Sequence, residues 1–300
     1  MPVISANAID ICFEVYEPGH DGPLDGPSGT TRETVVFVSG LGSQMITWEP
    51  EFFAPLLDAG HRVVRFDNRD VGLSSKVDSS LTVDDLLGAL GGAPVEAPYL
   101  LSDMAADLLA LLDALGLDRV HVVGSSMGGM IAQTFAIEHR DRLASLTSIM
   151  STTGEPDVGA PDPAILGVLL APSPADRDGA IEHTVTTHRA IGSPTLFDEE
   201  RARRKAALAY DRCHHPRGTL NQIVAIALSG DRAAGLAALD APTLVIHGEA
   251  DPLVGVSGGR RTAELVVGST LQVHDEMGHA IPSDLWPEVT GAIAQQVARA

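Results

Sequence analysis

Continuous apolar runs alternate with segments of helical spacing along most of the chain. The runs "TVVFVSG" (34–40), "RVVRFD" (62–67), "RVHVVG" (119–124), "LASLTSIM" (143–150), "PTLVIHG" (242–248) and "TLQVHD" (270–275) are short and rich in β-branched residues. Such runs fit strands buried on both faces of a parallel sheet. "AIDICFEVYE" (8–17), with partial alternation, predicts an earlier strand. Between the runs, apolar residues recur at three and four. This spacing predicts helices over 47–60, 100–116, 127–140, near 257–267 and near 284–299. In the 100–116 segment Ser102 is the expected cap and Gly116 the terminator. Strand–helix alternation implies right-handed crossovers and an α/β fold: a mostly parallel central sheet with helices on both faces.

The alternation stops after residue 151. From there to about residue 235 the pattern is helical only, clearest over 201–213 and 219–230, and it resumes at 242. We therefore expect an α/β core made of residues 1–151 and 236–300, with 152–235 a helical cap. A cap so placed covers the carboxyl ends of the strands, the edge at which open α/β sheets bind ligands. "DPAILGVLLAPSP" (162–174) is apolar enough to line a pocket or to bury the cap on the core.

Composition narrows the function. The formal charge is −20, with 40 acidic against 20 basic residues, and aromatics are 4%. A surface this acidic repels phosphate backbones, and so few aromatics provide little for bases to stack on, so nucleic acid is not an expected partner. No stretch approaches the roughly 20 apolar residues that span a bilayer, so stable membrane insertion is not expected. Cys12 and Cys213 form no CxxC or disulfide framework, and the first residues carry no basic, apolar leader; both features suit a reduced, cytoplasmic protein.

The candidate chemistry sits in "HVVGSSMGGM" (121–130), between a strand and a helix. Gly124-x-Ser126-x-Gly128 fits the G-x-S-x-G nucleophile elbow, whereas Ser125 is flanked at the same distances by Val123 and Met127. The glycines clear space for a sharp strand-to-helix turn, and the helix N-terminus favours developing negative charge. Neither a P-loop Gly-Lys-Ser/Thr nor a dinucleotide G-x-G-x-x-G is present there. A serine needs a base and the base an orienting acid, in the chain order Ser, Asp/Glu, His. Asp251 follows the strand at 242–248, and His279 follows the strand at 270–275. Glu249 ranks behind Asp251, while Asp240 lies at the wrong strand end. His247 and His274 read as packing residues, and His214 and His215 as cap or surface residues without spaced metal partners. Backbone N–H groups of Met127 and Leu41 are the expected oxyanion donors. No metal or cofactor is implied.

"FVSGLGSQMITW", "RFDNRDVGLSS", "HVVGSSMGGMIAQ", "TLVIHGEADPLV" and "DEMGHAIP" together resemble the α/β-hydrolase superfamily, over about residues 8–299. "DNRDVGLSS" and "SSMGGMIAQTFAIEHRDRLASLTSIMSTTG" are similar more narrowly to bacterial esterases related to the aclacinomycin methylesterases. The resemblance implies an α/β-hydrolase fold with the cap inserted after the sixth strand. It also implies a small-molecule ester substrate, cleaved through an acyl-enzyme on short to medium acyl or methyl esters. Carbon–carbon hydrolysis, lactone opening, perhydrolysis or ligand binding without turnover would use the same pocket. Two positions depart from the pattern. Ser39 stands where most members have His before the oxyanion glycine, so that loop needs other hydrogen bonds. Asp70 replaces the first Gly of D-x-R-G-x-G-x-S, and Arg69 and Asp70 either pair beneath the site or form a solvated turn.

Overall fold

The computed structural model describes residues 1–29, 32–169, 171 and 174–300. Its strands are β1 (Val3–Ala6), β2 (Ile9–Tyr16), β3 (Thr34–Val38), β4 (Arg62–Phe66), β5 (Val120–Ser125), β6 (Leu143–Ile149), β7 (Thr243–Gly248) and β8 (Thr270–His274). Its helices are α1 (Pro50–Asp58), α2 (Val83–Leu90), α3 (Leu101–Ala114), α4 (Met127–Glu138), α5 (Pro163–Leu169), α6 (Arg177–Ile191), α7 (Glu199–Arg212), α8 (Pro216–Leu228), α9 (Ala233–Ala237), α10 (Ser257–Leu265) and α11 (Trp286–Arg299).

The eight strands form one sheet in the order β1-β2-β4-β3-β5-β6-β7-β8. β1 and β2 pair antiparallel and β2 joins β4 antiparallel; every later pairing is parallel. Strands β3, β4 and β7 are buried at every position, and the two arginines this encloses in β4, Arg62 and Arg65, are paired with Glu17 and Glu14, both at 2.6 Å. One apolar cluster, with α3 and α4, fills one face. A second, with α1 and α11, fills the other. Residues of both faces thus leave the water together, and each fully buried Leu, Ile or Phe contributes about 1.5–3 kcal/mol.

The insertion between β6 and β7 is helical, α5 to α9, and β1 makes β6 the sixth strand. The apolar stretch 162–174 runs through α5, and Leu170, Pro172 and Ser173 lie outside the described residues. Among the described residues no helix is long and apolar enough to cross a membrane. Ser102 is not the cap of α3. Leu100 holds that position, and its N–H donates to the Asp103 carboxylate at 2.7 Å. The Asp103 carboxylate, three residues into the helix, thus satisfies the N-cap amide, which is the reciprocal half of a capping box.

Candidate active site

β5 delivers its last residues to the carboxyl edge of the sheet, and the chain reverses there into α4. Ser126 occupies the tip with φ 55° and ψ −122°, a conformation that costs a non-glycine residue on the order of 1–3 kcal/mol. Packing enforces it. A Cβ on Gly124 would overlap the carbonyl of Gly128, and one on Gly128 would overlap that of Val38. The turn is pinned on both sides, because the Ser126 N–H donates to Ile149 O at 2.9 Å and the Ser151 hydroxyl donates to Ser126 O at 2.9 Å.

The loops after β7 and β8 bring two further residues to this tip. His279 Nδ1 lies 2.7 Å from Asp251 Oδ2, and His279 Nε2 lies 2.8 Å from Ser126 Oγ. An ionised carboxylate only accepts, so Nδ1 carries the proton and Nε2 is left to accept from the serine hydroxyl. The other Asp251 oxygen accepts the N–H groups of Leu253 and Val254, both at 2.9 Å, in a tight Asx-type turn. Asp251 is buried and His279 is nearly so, which strengthens their mutual attraction. Ser126, Asp251 and His279, chosen from motif and chain order, are thus joined in one hydrogen-bonded line.

The alternatives fall elsewhere. Glu249 reaches outward to Arg260 at 2.7 Å. Exposed Asp240 precedes β7. His247 is fully buried, and its Nε2 donates to Val254 O at 2.7 Å, bracing the Asp251 turn from below; burial holds its pKa below the usual histidine value. His274 is packed in the last strand. His214 stacks on Tyr210, and His215 stands 4.0 Å from Asp70.

The β3 loop closes the other side. A Cβ on Gly40 would sit 3.2 Å from Ser126 Cβ, so the chain leading to Leu41 lies against the serine. Met127 opens α4 on the opposite flank. Ser39, in place of the usual histidine, keeps the loop through other partners: Asn68 Nδ2 donates to Ser39 O at 3.0 Å. The second brace comes from the cap. Gln222 of α8, fully buried, accepts the Gly42 N–H at 2.8 Å and donates to Arg69 O at 2.9 Å. Sequence reasoning missed Gln222; its signal was the pair Asn221-Gln222 inside the otherwise apolar helix "TLNQIVAIAL".

Arg69 and Asp70 do not pair with each other, nor do they form a solvated turn. Both are buried. Arg69 forks onto Asp107 at 2.6 and 2.7 Å, and Asp70 accepts from Tyr99 at 2.6 Å and from Asn221 at 2.9 Å. Asp70 holds φ 73°, the left-handed region where glycine is usual, and its buried partners offset that strain. Nearby, Arg212 of α7 reaches buried Asp67 at 2.7 Å, and the His279 N–H donates to Ile191 O at the end of α6 at 2.6 Å. The cap is therefore tied to the loops on both sides of the serine.

A mostly parallel sheet, a strained serine elbow and an inserted helical cap define the α/β-hydrolase class. The family model described as "alpha/beta hydrolase fold" matches residues 33–284, and the chain belongs to that family. The chain is 28% identical to rhodomycin D methylesterase DauP of Streptomyces sp. strain C5, over 93% of each chain. It is 30% identical to the putative carbamate hydrolase RutD of Variovorax paradoxus strain S110, over 86% of this chain and 87% of that one. Among solved structures, an esterase from Exiguobacterium antarcticum superposes with a TM-score of 0.72 at 22% identity, covering 99% of both chains.

Proposed function

We propose that the protein is a serine carboxylic-ester hydrolase for short to medium acyl or methyl esters. The observation that carries the reading is the unbroken line from Asp251 Oδ2 through His279 to Ser126 Oγ, with both hydrogen bonds under 3 Å. His279 takes the hydroxyl proton as Ser126 attacks the ester carbonyl. Asp251 holds the imidazole in the productive tautomer and stabilises the imidazolium. The tetrahedral oxyanion faces the N–H groups of Leu41 and Met127, at the serine's two flanks. Loss of one such donor costs on the order of 3–4 kcal/mol where it has been measured. Collapse transfers the proton to the departing alcohol and leaves an acyl-Ser126. His279 then activates a water, which releases the acid and restores the serine. The names of similar proteins, a methylesterase and an esterase, support ester chemistry.

The test is hydrolysis of p-nitrophenyl butyrate by wild type, Ser126→Ala and Ser125→Ala. Ser126→Ala should lose about 10⁶-fold in kcat, the scale set by a triad serine. Ser125→Ala should stay within about tenfold of wild type, since Ser125 makes no comparable hydrogen bond to the base. An inactive wild type, or equal rates for all three proteins, would rule out simple ester hydrolysis and turn attention to carbon–carbon cleavage at the same serine.

A further inference from the structure

The inward face of cap helix α6 contains one side chain that the chemistry above does not use. Ala180, Ile181, Val185 and Ile191 are the buried residues of this helix. His188 follows Val185 by three positions and precedes Ile191 by three, so it projects from the same face. Ile181, Val185 and Ile191 along that line are covered, yet His188 is exposed.

The helix end fixes where His188 stands. The His188 carbonyl accepts the Gly192 N–H at 2.8 Å, and the adjoining Ile191 carbonyl accepts the N–H of His279 at 2.6 Å. The carbonyl of Gly192 also lies where a Cβ of Gly278 would be, so the α6 terminus is pressed onto the loop that carries the base. His188 therefore stands one helical turn from that contact, close enough to the His279 and Lys205 side chains for their charges to bear on its ring. Among the described residues neither of its ring nitrogens has a hydrogen-bond partner.

We propose that His188 is the specificity contact of this site, donating to or accepting from an uncharged oxygen, a hydroxyl or keto group, carried by the ester substrate. This inference rests on the ester-hydrolase reading. On that face Thr184 spends its hydroxyl proton on Ala180 O at 2.9 Å, which leaves the unpartnered imidazole as the group to hold a polar substituent in a fixed place. It works there as an uncharged ring. Enclosure by protein, then the nearby charges of Lys205 and His279, pushes its pKa down to about 4, so it offers one N–H and one lone pair near neutrality. Lys205 supplies no free charge for an acidic ligand, since its ammonium is held by Glu49 at 3.1 Å and by Thr47 O at 3.2 Å. The resulting preference is for oxygenated, uncharged esters over both plain hydrocarbon and carboxylate-bearing ones.

The experiment compares matched methyl esters: butyrate, 3-hydroxybutyrate, acetoacetate and monomethyl succinate, with phenylacetate against mandelate as an aromatic pair. Wild type should favour at least one hydroxyl or keto ester over its plain partner by about tenfold in kcat/KM, the size of one net hydrogen bond. His188→Phe should bring that ratio close to one, and His188→Gln, which keeps a donor and an acceptor, should restore part of it. The same esters are titrated calorimetrically into Ser126→Ala with and without His188→Phe, which reads the contact without turnover. A ratio unchanged by His188→Phe, a lack of preference across all pairs, or a His188-dependent preference for monomethyl succinate would each overturn the proposal. Wild type that turns over no ester, while Ser126→Ala still binds the oxygenated member more tightly through His188, would sink the hydrolase reading and leave this contact standing.

Discussion

Asp251 divides its two oxygens between two tasks. One receives the Leu253 and Val254 amides and fixes the loop; the other receives the His279 proton. Asp251→Asn separates the tasks. An amide oxygen can still take the two backbone N–H groups, so the turn should persist. The amide NH₂ then faces His279 and favours the tautomer with the proton on Nε2, which cannot accept from Ser126. On the proposed chemistry kcat should fall on the order of 10⁴-fold, as in a serine-protease triad with the same change. The melting temperature should move little by comparison. A melting curve beside p-nitrophenyl butyrate kinetics checks both. Collapse of the fold, or a rate within tenfold of wild type, would remove Asp251 from the orienting role. Glu249→Gln is the matching control, because that side chain pairs with Arg260 at the surface and should leave the rate near wild type.

At the scale of elements, the cap acts as a brace. Gln222 on α8 links Gly42 of the β3 loop to the Arg69 carbonyl, so the loop that presents Leu41 is held from the insertion as well as from the core. Gln222→Ala should free the Gly42 N–H and loosen the loop that carries Leu41. On the proposed chemistry the Leu41 and Met127 donors act mainly on the transition state, so kcat should fall about tenfold or more while KM changes little. Amide exchange at Gly42 should accelerate in the same variant. A rise in KM at unchanged kcat would assign Gln222 to substrate binding instead. This brace was written in the sequence only as an amide pair in an apolar helix, and nothing local named its partner 180 positions away. The sheet and its motifs were far more legible, since β3 to β8 are runs whose period and flanking glycines are set within a few residues. α2 and α6 were not: α2 spans only eight residues, its apolar Val83, Leu86, Leu87 and Leu90 completing two turns between Thr82 and Gly91, and α6 starts at an Asp176 cap in a stretch with little apolar periodicity. β1 was missed because it is a short edge strand of intermediate and exposed residues, defined by pairing with β2 alone. The turn at Arg69-Asp70 misled in the opposite sense. Two charged residues in a row read as solvated, and their buried partners Asp107, Tyr99 and Asn221 come from distant helices and a loop.

At the scale of the whole molecule, acidification sets two effects against each other. The net charge of −20 is partly neutralised as pH falls, which relieves self-repulsion and favours the folded state. Four histidines act in the other direction. His61, His121, His188 and His247 all have pKa values lowered, chiefly by burial, so the unfolded chain binds protons that the folded chain refuses. Their contribution is complete above the unfolded histidine pKa near 6.5 and is lost as pH falls through the depressed folded values. Each contributes at most about 1.4 kcal/mol per pH unit inside that window, less for His61 and His188, whose rings keep solvent contact. His121 and His247, 2% and 0% exposed, are the two best shielded from solvent. Salt separates the two terms, because surface repulsion is screened and buried linkage is not. In about 0.3 M salt the melting temperature should fall steadily from pH 6.5 to 4.5, and His247→Gln should flatten that slope even if it lowers stability throughout. Melting temperatures that stay level or rise over this interval at high salt would show that the buried histidines take up their protons without unfolding.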